Sequence, residues 1–181
     1  MDSVKNPDDI VDFTKNLDKT MLALANDGAF LTSKTRNKIN AMTIGWGYIG
    51  IMWGKPYFMA MIRPNRYTFR LVERVMNFTI SVPFGLMKDE LRICGTKSGE
   101  EINKGDIVNF IPSKAVASPI VAGCQMYYEC KVNYSEKLDM RAIPQEVLKA
   151  HYNVNEYHYM YFGEIVDCYE GRSPFASPDE L

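Results

Sequence analysis

The chain has 181 residues, enough for one well-cored domain, and its net charge of −1 comes from both signs spread along its length. It carries no basic block of the kind that neutralises phosphate backbones, which argues against nucleic acid as a partner. No run approaches the roughly 20 apolar residues of a membrane span, and the charged, polar stretch Met1 to Asp18 is no secretory signal, so a cytoplasmic location is expected by default.

In chain order, Phe13, Leu17, Met21, Leu22 and Leu24 recur near helical spacing and Gly28 follows as a stop, which predicts a helix over 12–26. The pattern then shortens. Residues 29–33 and 39–46 read as strands joined by the polar turn 34–38. Residues 57–62 are a solid apolar run, suited to a strand buried on both faces. Pro64 and Asn65 open a helix over 66–75, a strand follows at 77–82, and 84–93 reads as a helix. Residues 95–105 form a polar loop. From 125 to 134 the chain alternates: Met126, Tyr128, Cys130, Val132 and Tyr134 on one face, Gln125, Glu129, Lys131 and Asn133 on the other. Pro144 starts a helix to His151, and 159–169 is the last long strand. The tail, 171–181, is rich in turn residues.

Strands outnumber helices, and no regular βαβ rhythm appears, which argues against a doubly wound sheet and favours a mainly antiparallel barrel with helical excursions. No repeat or linker divides the chain, so 1–181 is read as one domain, with a core of about 13–170 and the tail beyond it. No Gly-x-Gly-x-x-Gly follows a strand, so a Rossmann site is not supported. Cys94, Cys124, Cys130 and Cys168 show no Cys-x-x-Cys spacing, and His151 and His158 stand apart. Reduced, mostly buried thiols and no metal site are expected.

Four places can carry chemistry. In 40–47, Asn40 and Thr43 can supply hydrogen bonds, Trp46 a stacking surface, and Gly45 and Gly47 close approach to a flat ring; the same residues also suit an ordinary strand with a core Trp. In 63–68, Arg63 and Arg66 flank a Pro-Asn turn into a helix, with Thr68 beside them. That is a phosphate cradle, or a solvated loop whose arginines pair with Glu73 or an Asp. Ser98, Gly99 and Lys104 can close over an anion or simply form a surface loop. His158 stands just before the last strand, placed to hydrogen-bond a cofactor, move a proton, or serve structure alone. His151 is read as a helix-end or surface residue.

Taken together these pieces resemble the flavin reductase-like family, whose fold is the FMN-binding split barrel, and most of all its flavoredoxin branch. The likeness rests on Asn40-Ala41-Met42-Thr43 with Trp46, Trp53-Gly54-Lys55-Pro56, and Arg63-Pro64-Asn65-Arg66-Tyr67-Thr68. Cys94-Gly95 with Ser98-Gly99 and Lys104, and His158 with Phe162-Gly163-Glu164-Ile165-Val166, extend it from Phe13 to Phe175. Relatives often carry an aromatic directly after the loop lysine; here Gly105 stands there.

The resemblance implies a homodimer with two FMN sites near the subunit interface. It implies that Asn40, Ala41, Met42, Thr43 and Trp46 meet the isoalloxazine and ribityl groups. Arg63, Arg66 and Thr68 would hold or flank the phosphate, and Ser98 and Lys104 would contribute from the loop. His158 would approach the flavin and Phe175 would pack near the ring. The implied activity is that of an oxidoreductase passing electrons from NAD(P)H through FMN to a redox partner protein or small-molecule acceptor. The alternative is a flavoredoxin-type carrier, its tightly bound FMN reduced by a donor protein.

Overall fold

A computed structural model describes residues 11–152 and 157–171. The strands are β1 (Ala29–Lys34), β2 (Ile39–Ile44), β3 (Gly47–Met52), β4 (Lys55–Ile62), β5 (Asn77–Val82), β6 (Phe110–Ile111), β7 (Ile120–Val121), β8 (Met126–Lys137) and β9 (Tyr159–Glu170). The helices are α1 (Leu17–Ala25), α2 (Tyr67–Val75), α3 (Lys88–Thr96) and α4 (Gln145–His151). Seven strands form one sheet in the order β2-β1-β5-β8-β9-β4-β3, and every neighbouring pair is antiparallel.

Connectivity forces this sheet to roll up. Its two edges, β2 and β3, are consecutive in the chain, joined by Gly45 and Trp46 alone. Three Cα steps span at most about 11 Å, whereas the edges of a flat seven-stranded sheet lie about 29 Å apart. The edges therefore come close at that connection, where the Met61 N–H donates to the Trp46 carbonyl at 3.1 Å and carries the β3–β4 ladder one residue further. No ladder joins β2 to β3. The result is a barrel with a split along that seam.

Two apolar clusters pack on opposite faces of the sheet. Leu31, Met42, Phe58, Phe78, Ile80, Tyr128, Tyr161 and Ile165 belong to the first, and α1 adds Ala23 and Leu24. Phe30, Ala41, Leu91, Cys94, Val121 and Tyr127 belong to the second. Neighbours along β1, Phe30 and Leu31, point to different clusters, so that strand is buried on both faces. The run at β4 is buried almost throughout, as expected. No helix among the described residues is long and apolar enough to cross a membrane.

Several boundaries move for identifiable reasons. The expected strand 39–46 stops at Ile44, and β3 follows as a strand the sequence did not signal. Its return to β4 is a two-residue turn with Trp53 and Gly54 both at positive φ, 50° and 69°, the backbone that a tight hairpin requires. The helix expected over 84–93 starts only at Lys88. Before it Phe84, Gly85 and Met87 all take positive φ, which no helix accommodates. The helix expected over 12–26 starts at Leu17, because Asp12 folds back onto the Thr14 N–H and hydroxyl and Asn16 is left-handed.

The alternation across 125–134 holds only in part. Met126 to Cys130 are buried on both faces, and Glu129, on the polar face of the alternation, has no exposed surface. Its carboxylate accepts the N–H groups of Lys114 (2.7 Å), Ala115 (2.5 Å) and Val116 (3.1 Å) and the Tyr169 hydroxyl (2.7 Å). Tyr134, on the face of Met126 and Tyr128 in the alternation, is exposed, and a register shift between Val132 and Tyr134 interrupts the strand there.

Candidate functional site

The split produces a pocket. The end of β2 supplies Met42, Thr43 and Ile44, and the connection supplies Gly45 and Trp46. Met61 comes from β4, Arg63 and Arg66 from the loop into α2, and His158 from the residue before β9. The pocket is open to solvent and its cavity volume is about 170 Å³, less than the roughly 300–1,000 Å³ of an enclosed small-molecule site, so a cofactor-sized ligand would lie partly outside it. Because β2 pairs only with β1, its outer backbone edge is left to border the pocket. Such an edge offers alternating N–H and C=O groups, the complement of a planar heterocycle's polar rim.

Asn40 is buried, and its Nδ2 donates to the Thr68 hydroxyl in the first turn of α2 at 2.7 Å. Its Oδ1 is buried with no hydrogen-bond partner. An orphaned amide oxygen is costly unless a ligand supplies a donor. Gly99 lies against this amide: a Cβ there would stand 2.1 Å from Oδ1, so only glycine lets the 98–99 turn approach so closely. Ala41 is buried in the second cluster and brings no polar group. Met42 packs into the barrel core while bordering the pocket. Thr43 also borders it, with its hydroxyl donated to the Leu91 carbonyl at 2.6 Å, which ties β2 to α3.

The two arginines differ. Arg66 is exposed and reaches the Gly95 carbonyl at 3.3 Å. It stands at the start of α2, whose first turn has no side-chain cap. A cation beside uncapped helix N–H groups is a natural seat for phosphate. Arg63 is built into the wall instead. Its Nη2 donates to the His151 carbonyl at 3.1 Å and its Nε to His158 Nε2 at 3.3 Å.

The Trp46 and His158 ring centroids are 5.0 Å apart. Two further residues join them. The His151 ring meets Trp46 edge-on at 5.3 Å, and the Tyr152 hydroxyl bonds His158 Nδ1 at 3.0 Å. His151 thus has a place at the site beyond that of a helix end. Nothing in the sequence signals this, because α4 buries none of its residues and its apolar spacing carries no information about the pocket.

The 95–105 segment takes up other tasks. The Ser98 hydroxyl accepts the Glu100 N–H at 3.2 Å, and its carbonyl accepts the N–H groups of Glu101 and Ile102. Lys104 lies outside the pocket lining and is 1% exposed. Its ammonium donates to the carbonyls of Lys97 (2.6 Å), Ile93 (3.3 Å) and Cys94 (3.5 Å), which caps the C-terminal end of α3. This is the favourable end of the helix dipole for a cation. Burial pushes the Lys104 amine below the ordinary lysine value. Phe175 lies outside the described residues.

All four thiols are free. Burial pushes Cys94, Cys124 and Cys130 up from the ordinary thiol value and Cys168 up to about 12. None has the low-pKa environment of a reactive thiolate.

A family model for the flavin reductase like domain matches residues 21–178. One curated relative, an uncharacterised protein of Pyrococcus abyssi (strain GE5 / Orsay), is 29% identical over 97 residues, covering 53% of this chain and 55% of the relative. The chain thus matches about half the length of that relative. Among solved structures, flavoredoxin from Methanosarcina acetivorans is similar with a TM-score of 0.64 and 21% identity, over 83% of this chain and 70% of that one. The FMN-binding protein from Thermus thermophilus, solved with 1-cyclohex-2-enone, gives 0.63 and 22%, over 79% and 69%. At these identities the likeness is one of fold, and the fold is the split barrel.

Proposed function

The chain belongs to the flavin reductase-like domain family, and on that premise we propose that its pocket binds FMN and that the protein is an FMN-dependent oxidoreductase. The observation that carries the reading is convergence: the unpaired edge of β2, the Trp46 indole and the Arg66 guanidinium border one pocket at the split. The residues present suit the group. The β2 edge from Met42 to Ile44 faces a planar ring's rim, with Ala41 setting the strand and Thr43 tying it to α3. Asn40 lies outside the pocket lining, and its buried amide oxygen, which has no partner, would take a donor from a ribityl hydroxyl that reaches beyond the lining. Arg66 and the first turn of α2 take the phosphate, Thr68 flanks it, and Arg63 adds positive charge to the wall. Ser98 shapes the turn against Asn40, and Lys104 fixes the end of α3.

FMN, when bound, supplies the redox chemistry, taking electrons from NAD(P)H and handing them to a partner protein or small-molecule acceptor. The chain's own residues bind and orient it, and their positive charge favours a negatively charged ligand. Self-association fits the surface: Tyr48, Ile51 and Trp53 on the β3–β4 hairpin are 50%, 62% and 68% exposed. Tyr48 and Ile51 stand on opposite faces of β3, and exposed apolar side chains of this kind are ones a second copy can cover. Sedimentation of the protein as a monomer would count against the homodimer.

Two experiments test this reading. Trp46→Ala is expected to weaken FMN binding by about 0.5–1.5 kcal/mol, the scale of an aromatic contact. Wild-type affinity and redox potential in that variant would remove Trp46 from the ring's contacts. For the activity, FMN-loaded protein is mixed with NADH or NADPH. Steady consumption supports a reductase. No consumption, with reduction only by a donor protein, leaves the flavoredoxin-type carrier.

A further inference from the structure

We propose that His158 and Tyr152 are positioning residues that act on the pocket through Arg63. His158 is the neutral acceptor that fixes the guanidinium, and Tyr152 holds the ring in the one tautomer able to accept. The assignment follows from hydrogen-bond chemistry. A guanidinium has donors only, so at the 3.3 Å contact between Arg63 Nε and His158 Nε2 the imidazole nitrogen must offer its lone pair. A neutral ring then carries its proton on Nδ1, which lies 3.0 Å from the Tyr152 hydroxyl and donates to it. Burial raises the Tyr152 phenol above its ordinary value, so the hydroxyl stays protonated. His158 is 6% exposed and packed on Trp46, and a second anchor, the His151 carbonyl, takes Nη2 at 3.1 Å.

Two anchors at different nitrogens fix the plane of a long, rotamer-rich side chain at the pocket wall. A pre-fixed arginine loses less freedom when an anion arrives, which is an affinity gain without a new contact. This assigns to His158 a task other than touching the flavin. It also gives Tyr152, to which no sequence pattern points, a defined role.

The consequence for ligand affinity rests on the FMN reading; the tautomer does not, and the test separates them. At pH 8 and without flavin, long-range proton–nitrogen NMR of the imidazoles is expected to show His158 as the Nδ1–H tautomer in the wild type. It should lose that form in Arg63→Met. An Nε2–H ring in the wild type would overturn the proposal whether or not FMN binds. Affinities for FMN and riboflavin are then measured in wild type, Arg63→Met, His158→Leu, His158→Gln, Tyr152→Phe and the Arg63→Met/His158→Leu pair. Arg63→Met and His158→Leu should each weaken FMN binding by about tenfold, the scale of one charged hydrogen bond. The double variant should be no worse than either, since both act on one interaction. His158→Gln, which keeps an acceptor, should recover most of the loss, and Tyr152→Phe should show a partial one. Additive losses, or a glutamine variant as weak as leucine, would overturn the proposal. A wild type that binds no FMN while its ring is Nδ1–H would sink the flavin reading and leave the positioning of Arg63 standing.

Discussion

Arg66→Ala is expected to weaken FMN binding by about 1–3 kcal/mol, roughly five- to 150-fold, with little effect on riboflavin. The expectation comes from the contrast between the two arginines. Arg63 is committed to His158 and the His151 carbonyl, whereas Arg66 makes one 3.3 Å bond to the Gly95 carbonyl and stands exposed at an uncapped helix start. A phosphate there would accept from the guanidinium and from helix N–H groups together. Because Arg66 is exposed, added salt should shrink the difference between variant and wild type. Arg66→Lys should recover part of the loss, since it restores the charge without the fork. An unchanged FMN dissociation constant in Arg66→Ala would mean that the phosphate lies elsewhere.

Glu129→Ala should destabilise the fold by about 3–5 kcal/mol, read as a lower urea midpoint. Three backbone N–H groups of the 114–116 turn and the Tyr169 hydroxyl all end on this fully buried carboxylate. Each buried donor left without a partner costs about 1–3 kcal/mol, and water entering the vacated space offsets part of the sum. Lys114 would also lose its seat over the Tyr169 ring, where its ammonium now lies 3.5 Å from the centroid. A loss below about 1 kcal/mol would show that the turn finds other acceptors. FMN affinity in the folded variant should be unchanged, because Glu129 does not border the pocket.

Much of the frame was legible in the sequence because it is written in local patterns. The apolar run at β4, the turn-and-helix signal at Pro64 and Asn65, and the strand at β5 all appear where expected. Trp46, Arg63, Arg66 and His158, drawn from separate stretches, border one pocket. What escaped is set by partners distant in the chain. β3 contains Gly47 and Gly50 and is held as a strand by its ladder with β4, a tertiary preference that overrides its weak local one. Glu129 sits on the polar side of an alternating strand, and only the returning 113–116 turn makes that side an interior. Lys104 is a plausible anion ligand by residue type, but its three acceptors come from the end of α3 folded over it. His151 and Tyr152 reach the site from a helix with no buried residue, so no periodicity could point to them.

The central claim is that the seam between β2 and β3 is a flavin site. Its most direct test is to purify the protein, extract and identify any bound flavin, and titrate the stripped chain with FMN while following flavin absorbance and fluorescence. The account predicts FMN in the extract or saturable FMN binding at one site per chain, tighter than riboflavin and weakened by Arg66→Ala. A folded protein that carries no flavin and shows no saturable FMN binding would contradict it.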